Sequence, residues 1–154
     1  MTKPQPLPVK LVPHSQQWVP FAEAEIARLT HLAAGAFSII HHIGSTAIPG
    51  IVAKPIVDLL GEATSLEALD AAKAQLTDGD YLWLGEFGIP GRRHLRRDDP
   101  VSGERLVHLH AFAAGSEEIA RHLAFRDYLR AHPDVAAAYD SEKRRAAALH
   151  PLDS

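Results

Sequence analysis

Two short apolar runs, joined by a segment of small residues, glycines and prolines, constrain the fold of this chain most strongly. The first run spans residues 37–43 and the second spans residues 55–61. Residues 44–50 between them are rich in the types that favour turns. Each run is short, bounded by turn residues and almost continuously apolar, which predicts buried β-strands, the first of them central in a sheet. The second strand carries a single carboxylate, Asp58.

Hydrophobic periodicity and turn residues indicate the other elements. Apolar residues recur at helical spacing from Trp18 to Leu32, with Ser15 as a candidate cap and Gly35 as the end signal. The whole pattern predicts one α/β (α+β) domain at residues 9–150, a mixed sheet with helices mainly on one side, after a loose arm at residues 1–8. The remaining predicted elements are a helix capped by Thr64 or Ser65 and ending near Asp78, a strand at 81–84, a basic strand at 92–97, a strand at 105–112, a helix capped by Ser116 and a helix at 133–149.

The last predicted strand shows the clearest alternation. Val107, Leu109 and Ala111 fall on one face. His108 and His110 fall on the other face, roughly 7 Å apart at the backbone, because a strand rises about 3.3 Å per residue. We expect the apolar face to point into the core and the two imidazoles to point into a cleft.

The composition is that of a soluble globular domain. Of 154 residues, 46% are hydrophobic and 23% are charged, a balance that builds one core. The formal net charge of −3 argues against general nucleic-acid binding. No apolar run is long enough for a membrane span, the N-terminal residues lack the pattern of a signal peptide, and cysteine is absent. We therefore expect a cytoplasmic protein that does not enter membranes.

Four groups of residues have the chemistry of an anion-binding site. Gly44, Ser45 and Thr46 form a turn whose amides and hydroxyl groups suit phosphate oxygens. Lys54 lies in the turn before Asp58, whose carboxylate can bind a cation or accept a proton. The basic and imidazole members of the site are Arg92, Arg93, His108 and His110.

Each group also has an ordinary structural interpretation. The turn could be a hairpin-like connection in which Asp58 is a structural residue. Residues 92–97 are more typical of a solvated edge strand, since charges protect an open edge from aggregation. His41 and His42 lie at a strand end, where one imidazole faces the turn. Arg126 and Asp127 are interpreted as a structural ion pair, and residues 143–145 as solvated helix surface.

Several catalytic motifs are absent from the sequence. Ser45 does not lie in a Gly-x-Ser-x-Gly nucleophile elbow. The Walker A motif, the dinucleotide glycine fingerprint and the His-Glu-x-x-His zinc motif do not occur either. These absences argue against the enzyme classes that depend on those motifs.

The chain resembles the GrpB (UPF0157) family, small bacterial domains with a nucleotidyltransferase-like fold. The resemblance runs from about residue 9 to residue 148, nearly the whole chain. The matching segments are residues 42–50, 53–58, 88–93, 107–110 and 125–133, and Tyr139 and Lys143 fall where the family pattern has a tyrosine and a lysine.

The resemblance implies a nucleotidyltransferase-like mixed β-sheet flanked by helices. In nucleotidyltransferases a Gly-Ser turn precedes a strand with two acids, a third acid follows on a later strand, and two metal ions bridge them to nucleotide phosphates. Asp58 matches the first acid, whereas Leu60 stands at the second position and His108 and His110 lie on the later strand. One carboxylate and two imidazoles suit a single transition metal better than a pair of magnesium ions, and they equally suit a metal-free anion site. The expected cofactor is a divalent metal, Mg²⁺, Mn²⁺ or Zn²⁺.

Three functions are consistent with these residues. The first is metal-dependent nucleotidyl or phosphoryl transfer with an anionic small molecule, in which Asp58, His108 and His110 act as metal ligands or catalytic groups and Glu86 orients a nucleophile. The second is a non-catalytic nucleotide-binding or anion-binding module that acts as a sensor or as an accessory of a partner enzyme. Leu60 in place of a second acid supports it, as does the occurrence of similar domains fused to dephospho-coenzyme A kinase or to acetyltransferases. A partner enzyme or a second copy of the chain in a homo-oligomer is the expected protein partner. The third is a hydrolase whose metal ligands are His42, His108, His110 and Asp58.

Overall fold

The computed structural model describes residues 10–149, so the predicted arm at residues 1–8 lies outside it. Within this range a one-turn 3-10 helix at Ser45–Ala47 follows the first strand directly. The other elements in chain order are α1 (Trp18–Leu32), β1 (Phe37–Ile43), β2 (Val57–Ala63), α2 (Leu66–Ala71), α3 (Lys73–Asp78), β3 (Tyr81–Gly85), β4 (Arg93–Asp98), β5 (Arg105–Ala113), α4 (Glu117–Ala131) and α5 (Pro133–Leu149).

The strands form one mixed sheet in the order β1-β2-β5-β4-β3. Only the β2–β5 pair is parallel, while the other three pairs are antiparallel. The parallel pairing places Asp58 directly beside His108 and Leu60 beside His110. The predicted α+β architecture with a mixed sheet is therefore confirmed, and the strand with the two histidines lies at its centre.

The places of two strands differ from the predictions. β1 is an edge strand rather than a central one, and its exposed positions include Ile39. The basic strand β4 lies between β5 and β3 instead of forming an edge. Its arginines tolerate this position because two of them pair with acids on the helices that cover the sheet, Arg93 with Asp70 and Arg97 with Glu25.

Helices α1, α2 and α3 cover one face of the sheet. Leu29, Leu69 and Leu76 from these helices pack in one buried cluster with Leu59 and Leu109 from the central strands. The predicted alternation of β5 is confirmed, since Val107, Leu109 and Ala111 belong to this cluster. Ser65 caps α2 as predicted by accepting a hydrogen bond from Ala68 N, but the predicted single helix is broken into two at Ala72.

Helix α4 lies on the opposite face, so the helices are not mainly on one side as predicted. Ile119 packs with Ile43, Leu60 and Phe112 against β1, β2 and β5. Helix α5 then follows α4 and contacts it through a separate small cluster that includes Ile48 and Leu129. In residues 10–149, none of the helices combines the length and the apolar character needed to cross a membrane.

Candidate functional site

The turn after β1 packs tightly onto the carboxylate of Asp58. Gly44 has a φ of +75°, a conformation that glycine adopts without strain. A Cβ atom at Gly44 would lie 2.6 Å from Asp58 Oδ2, which leaves no room for a side chain. The glycine therefore lets the turn and the second strand bring Ser45 and Asp58 to the same place, as the sequence pattern predicts.

Lys143 reaches this turn from helix α5. Its Nζ donates a hydrogen bond to Ser45 Oγ at 2.5 Å and a second to the carbonyl oxygen of Val52 at 3.2 Å. Burial lowers the pKa of Lys143 from its ordinary value, while the nearby Asp58 acts in the opposite direction. The prediction of solvated helix surface at 143–145 is therefore wrong for Lys143, although Arg144 and Arg145 are exposed.

A cleft of about 670 Å³ opens beside Ser45 and Asp58. Four basic side chains line it, whereas it has two carboxylates, Asp58 and Glu104. The basic residues come from four separate parts of the chain and are Lys10, Lys54, Arg105 and Lys143. The cleft is thus cationic in a chain whose formal net charge is −3, and an anionic ligand fits it best.

The Asp58 carboxylate faces two imidazoles without a direct hydrogen bond to either. Its Oδ1 lies 3.5 Å from His110 Nε2 and 3.8 Å from His108 Nδ1. Within residues 10–149 no side chain or backbone group donates a hydrogen bond to this carboxylate, and the side chain is 32% exposed. An acid with unused acceptor capacity at the edge of a cleft is able to take a proton from a bound molecule.

Two further imidazoles extend the pair into a cluster on the face of the sheet that α4 packs against. His94 on β4 lies beside His110, with 4.9 Å between ring centroids, and His122 on α4 stacks on His110 at 6.2 Å. Burial, followed by the nearby His110 and Arg92, lowers the pKa of His94 to about 4. Burial also lowers the pKa of His108 and of His122. At neutral pH these three side chains are therefore uncharged.

His42 is the imidazole that faces the turn, as predicted. Its Nε2 lies 2.8 Å from Thr46 Oγ1, and burial with the positive charge of Arg130 lowers its pKa to about 4. Arg126 donates to the carbonyl oxygen of His42 and also pairs with Asp127, which confirms the predicted ion pair. These contacts hold the turn in place and leave His42 with a structural role.

The predicted arginines and Glu86 do not line the cleft. Arg92 is buried and donates to the carbonyl oxygens of Glu86 and Phe87, with one guanidinium nitrogen 3.5 Å from His110 Nδ1. Arg93 points to the other face of the sheet, where it binds Asp70 through two hydrogen bonds. Glu86 is exposed and accepts a hydrogen bond from the backbone of Gly91. Arg92 and Glu86 thus organise the loop before β4.

The residues predicted as metal ligands do not form a ready coordination group. In the described part of the chain, no three His, Asp or Glu side chains are placed so that they could hold one metal ion. Asp58 approaches His108 and His110, but the three do not converge further. His42, predicted as a fourth ligand of a hydrolase, is bound to Thr46 instead. The magnesium, manganese or zinc site stays a prediction.

Comparison with known proteins shows the family and the fold. A family model described as GrpB protein matches residues 8–154 of the chain. The chain belongs to the GrpB family. A crystal structure of conserved protein GrpB from Enterococcus faecalis superposes with a TM-score of 0.86 at 36% identity, covering 92% of this chain and 85% of that one.

Two curated relatives are longer than this GrpB-family chain. It is 40% identical over 143 residues to the UPF0157 protein YqkA of Bacillus subtilis, a match that covers 93% of this chain and 41% of YqkA. It is 30% identical over 161 residues to a dephospho-CoA kinase of Mycolicibacterium paratuberculosis, covering 90% of this chain and 40% of the kinase. The chain therefore spans less than half the length of either relative.

Lys143 is the main site residue that local sequence patterns in this GrpB-family chain did not predict. It lies 98 positions from Ser45, and its neighbours in α5 are charged and exposed, so helical periodicity suggests surface. The family pattern, which has a lysine at this position, was the available signal. Lys10, Arg105 and His94 were also missed. The strand order places Arg105 and His94, and the bridge between Val12 and Ala53 places the segment of Lys10; neither is encoded locally.

Proposed function

We propose that the cleft of this GrpB-family domain binds an anionic small molecule that carries phosphate groups. The observation that carries the proposal is the set of four basic residues around Ser45 and Asp58, against two carboxylates. Lysine binds phosphate as a point charge, and a hydroxyl group can donate to a phosphate oxygen. Ser45, Lys54 and Lys143 are the proposed ligands, and Lys10 and Arg105 also line the cleft. The predicted ligand Thr46 is buried and its hydroxyl group is bound to His42, so it supports the turn.

The hydrogen bond between Lys143 and Ser45 supports a phosphate subsite at the turn. Lys143 Nζ has three hydrogens, of which two are used by Ser45 and Val52. The third can be donated to a ligand, and the Ser45 hydroxyl, which accepts from Lys143, keeps its own hydrogen for a phosphate oxygen. The two side chains thus present adjacent donors to the same anion.

Phosphoryl or nucleotidyl transfer is the activity that this arrangement supports best. Asp58 lines the same cleft, and its carboxylate has no hydrogen bond from residues 10–149, so it can act as a general base on an attacking group. The basic residues would stabilise the charge that develops on the phosphate groups. His108 lines the cleft beside Asp58, and because burial lowers its pKa it adds no positive charge there at neutral pH.

A non-catalytic accessory module is the second candidate function. Leu60, at the position where nucleotidyltransferases have a second acid, is fully buried among Ile43, Phe112 and Ile119 and cannot contribute to a reaction. The match to part of a protein named dephospho-CoA kinase supports a module that works beside a partner enzyme. Such a module would bind the phosphate compound without converting it.

Isothermal titration with pyrophosphate and with ATP tests the proposed binding site. Lys143→Ala removes a half-buried cation, and we expect at least a tenfold loss of affinity, about 1.4 kcal/mol or more. Arg145→Ala is the matched control, since Arg145 lies on the same helix but is exposed and paired with Glu142. Equal affinities for wild type, Lys143→Ala and Arg145→Ala would contradict the proposal.

Asp58→Asn separates the two candidate functions. Removing a negative charge from the cleft should strengthen pyrophosphate binding in either case, because an anion then meets one carboxylate fewer. A transferase would lose product formation in a ³¹P NMR assay with ATP and a mixture of acceptors, despite the stronger binding. Turnover by the wild-type protein would reject the accessory module, and turnover that persists in Asp58→Asn would reject Asp58 as the base.

A further inference from the structure

A second, smaller pocket of about 170 Å³ borders Ser45 and Asp58, the two residues that also line the cleft. Its other walls come mainly from helices α4 and α5, through Phe125, Leu129 and Tyr139. The two pockets therefore share the carboxylate and the hydroxyl and differ in everything else that surrounds them. Two molecules bound in the two pockets would meet at Asp58.

The walls of the smaller pocket are apolar and aromatic. Phe125 and Tyr139 contact each other edge to face, with 5.8 Å between ring centroids. Ile48 and Leu129 are buried beneath them. Phe125 is nevertheless 54% exposed, an unusual position for a phenylalanine that only supports the fold. A ring-bearing ligand would cover this exposed aromatic surface and gain contacts with both rings.

The charges around the smaller pocket favour an uncharged ligand. Arg126 lines it, but its guanidinium pairs with Asp127, which offsets its charge, and donates to the carbonyl oxygen of His42. The Asp58 carboxylate, which also lines the pocket, already has a cation near it, since Lys143 donates to Ser45 and lies 5.6 Å from the Tyr139 ring. A neutral hydroxyl group adds no further charge there and can donate to the unbonded carboxylate of Asp58.

We propose that the smaller pocket binds an uncharged, ring-bearing alcohol and directs its hydroxyl group to Asp58. This alcohol is the acceptor for the phosphate compound in the cleft, so the inference rests on the proposed function and names its second substrate. Phe125, Leu129 and Tyr139 hold the ring, and Asp58 holds the hydroxyl group.

The transfer step uses a phosphoanhydride in the cleft. The hydroxyl oxygen forms a bond to phosphorus, and the bond from that phosphorus to the bridging oxygen breaks, with its electron pair leaving on the oxygen of the departing phosphate. The hydroxyl proton passes to the Asp58 carboxylate and from there to solvent. Lys54 and Lys143 neutralise the charge on the departing phosphate.

Chemical-shift titrations with two probes, 2-phenylethanol and pyrophosphate, test this arrangement. We expect 2-phenylethanol to bind the wild-type protein and to shift resonances of α4 and α5. Phe125→Ala should weaken its binding about fivefold through the lost ring contact. Asp58→Ala should weaken it about tenfold through the lost hydrogen bond to a charged acceptor. Tyr128→Ala is the matched control, because Tyr128 is 52% exposed on the same helix and does not line the pocket.

The outcomes separate the two proposals. If pyrophosphate binds and 2-phenylethanol does not, the alcohol pocket is rejected and the proposed function stands. Equal weakening by Phe125→Ala and Tyr128→Ala also rejects the pocket. If 2-phenylethanol binds through Phe125 and Asp58 while pyrophosphate does not bind, the pocket is supported and the proposed phosphate site is the one overturned.

Discussion

Gly44 is the single residue on which the geometry of the site depends most. Its backbone φ of +75° and the 2.6 Å that would separate an added Cβ atom from Asp58 Oδ2 are independent constraints. We predict that Gly44→Ala lowers the free energy of unfolding by about 1–3 kcal/mol through backbone strain, and by a further ~1–3 kcal/mol through the clash. Urea unfolding measures the sum.

Gly50→Ala separates the two contributions. Gly50 has a similar φ of +80°, but no atom lies within 4 Å of the place where its Cβ would be. Its substitution should therefore show the strain alone and leave pyrophosphate binding intact, whereas the clash in Gly44→Ala shifts the turn that carries Ser45 and weakens binding. If the two substitutions have equal effects on stability and binding, close packing of the turn on Asp58 is not what defines the site.

Local patterns predicted those placements that depend on immediate neighbours. Gly44 and Ser45 lie in the turn after β1 and Asp58 lies near the start of β2, and both the turn and the strand are visible in the sequence. Arg93 lies away from the cleft for a reason that is also local. Side chains alternate along a strand, so Arg93 points to the face covered by α1, α2 and α3, and His94, the next residue, points to the face of α4.

At the scale of elements, strand β4 shows what composition alone could not predict. A run of arginines suggests an exposed edge, but β4 is an inner strand because buried Glu25 of α1 receives Arg97 in two hydrogen bonds of 2.9 Å. Tyr81 of β3 donates to the same carboxylate, and burial together with Glu25 raises the pKa of Tyr81. This partner lies 72 positions away, so no local pattern reveals it.

The two ion pairs of β4 should differ sharply in their effect on stability. Arg97→Ala leaves the Glu25 carboxylate, which is 4% exposed, without its main partner, and we expect a loss of about 3 kcal/mol or more in the free energy of unfolding. Arg93→Ala breaks a pair whose acid, Asp70, is 47% exposed, and should cost less than about 1 kcal/mol. Thermal and urea unfolding of both variants measure the difference. Similar losses would show that the network around Glu25 does not hold α1 to the sheet.

At the scale of the whole molecule, the sequence predicted the helices and strands better than their arrangement. Strand and helix positions follow from periodicity, and the mixed sheet follows from the buried runs. Strand order and the second helical face depend on contacts between distant segments, such as Ile119 of α4 with Leu60 of β2. Ten histidines were visible in the sequence, but the gathering of His94 and His122 around the predicted pair appears only when β4 and α4 are in place.

These histidines should make the stability of the protein fall in mild acid. The pKa of His42 and that of His94 are each lowered to about 4 in the folded protein, below the ordinary value of 6.5. Between these pH values the unfolded chain binds more protons than the folded one, so the free energy of unfolding falls as pH falls. Each imidazole contributes a slope of up to ~1.4 kcal/mol per pH unit, and the contribution is fully present only above about pH 6.5.

Urea unfolding at intervals between pH 7 and pH 4.5 measures this slope, and His94→Gln assigns part of it. The glutamine side chain stays neutral, so the free energy of unfolding of the variant should fall less steeply with pH than that of the wild type. The two slopes should differ by up to the contribution of one proton, ~1.4 kcal/mol per pH unit. His31→Gln, a change at an exposed histidine, is the control and should keep the wild-type slope. Carboxylates that are paired in the folded protein lose their contribution to stability mainly below about pH 5. Between pH 6.5 and pH 5 the change in stability therefore comes mainly from the imidazoles. A flat profile across that range would show that His94 and its neighbours accept protons without unfolding, and that the cluster is open to water.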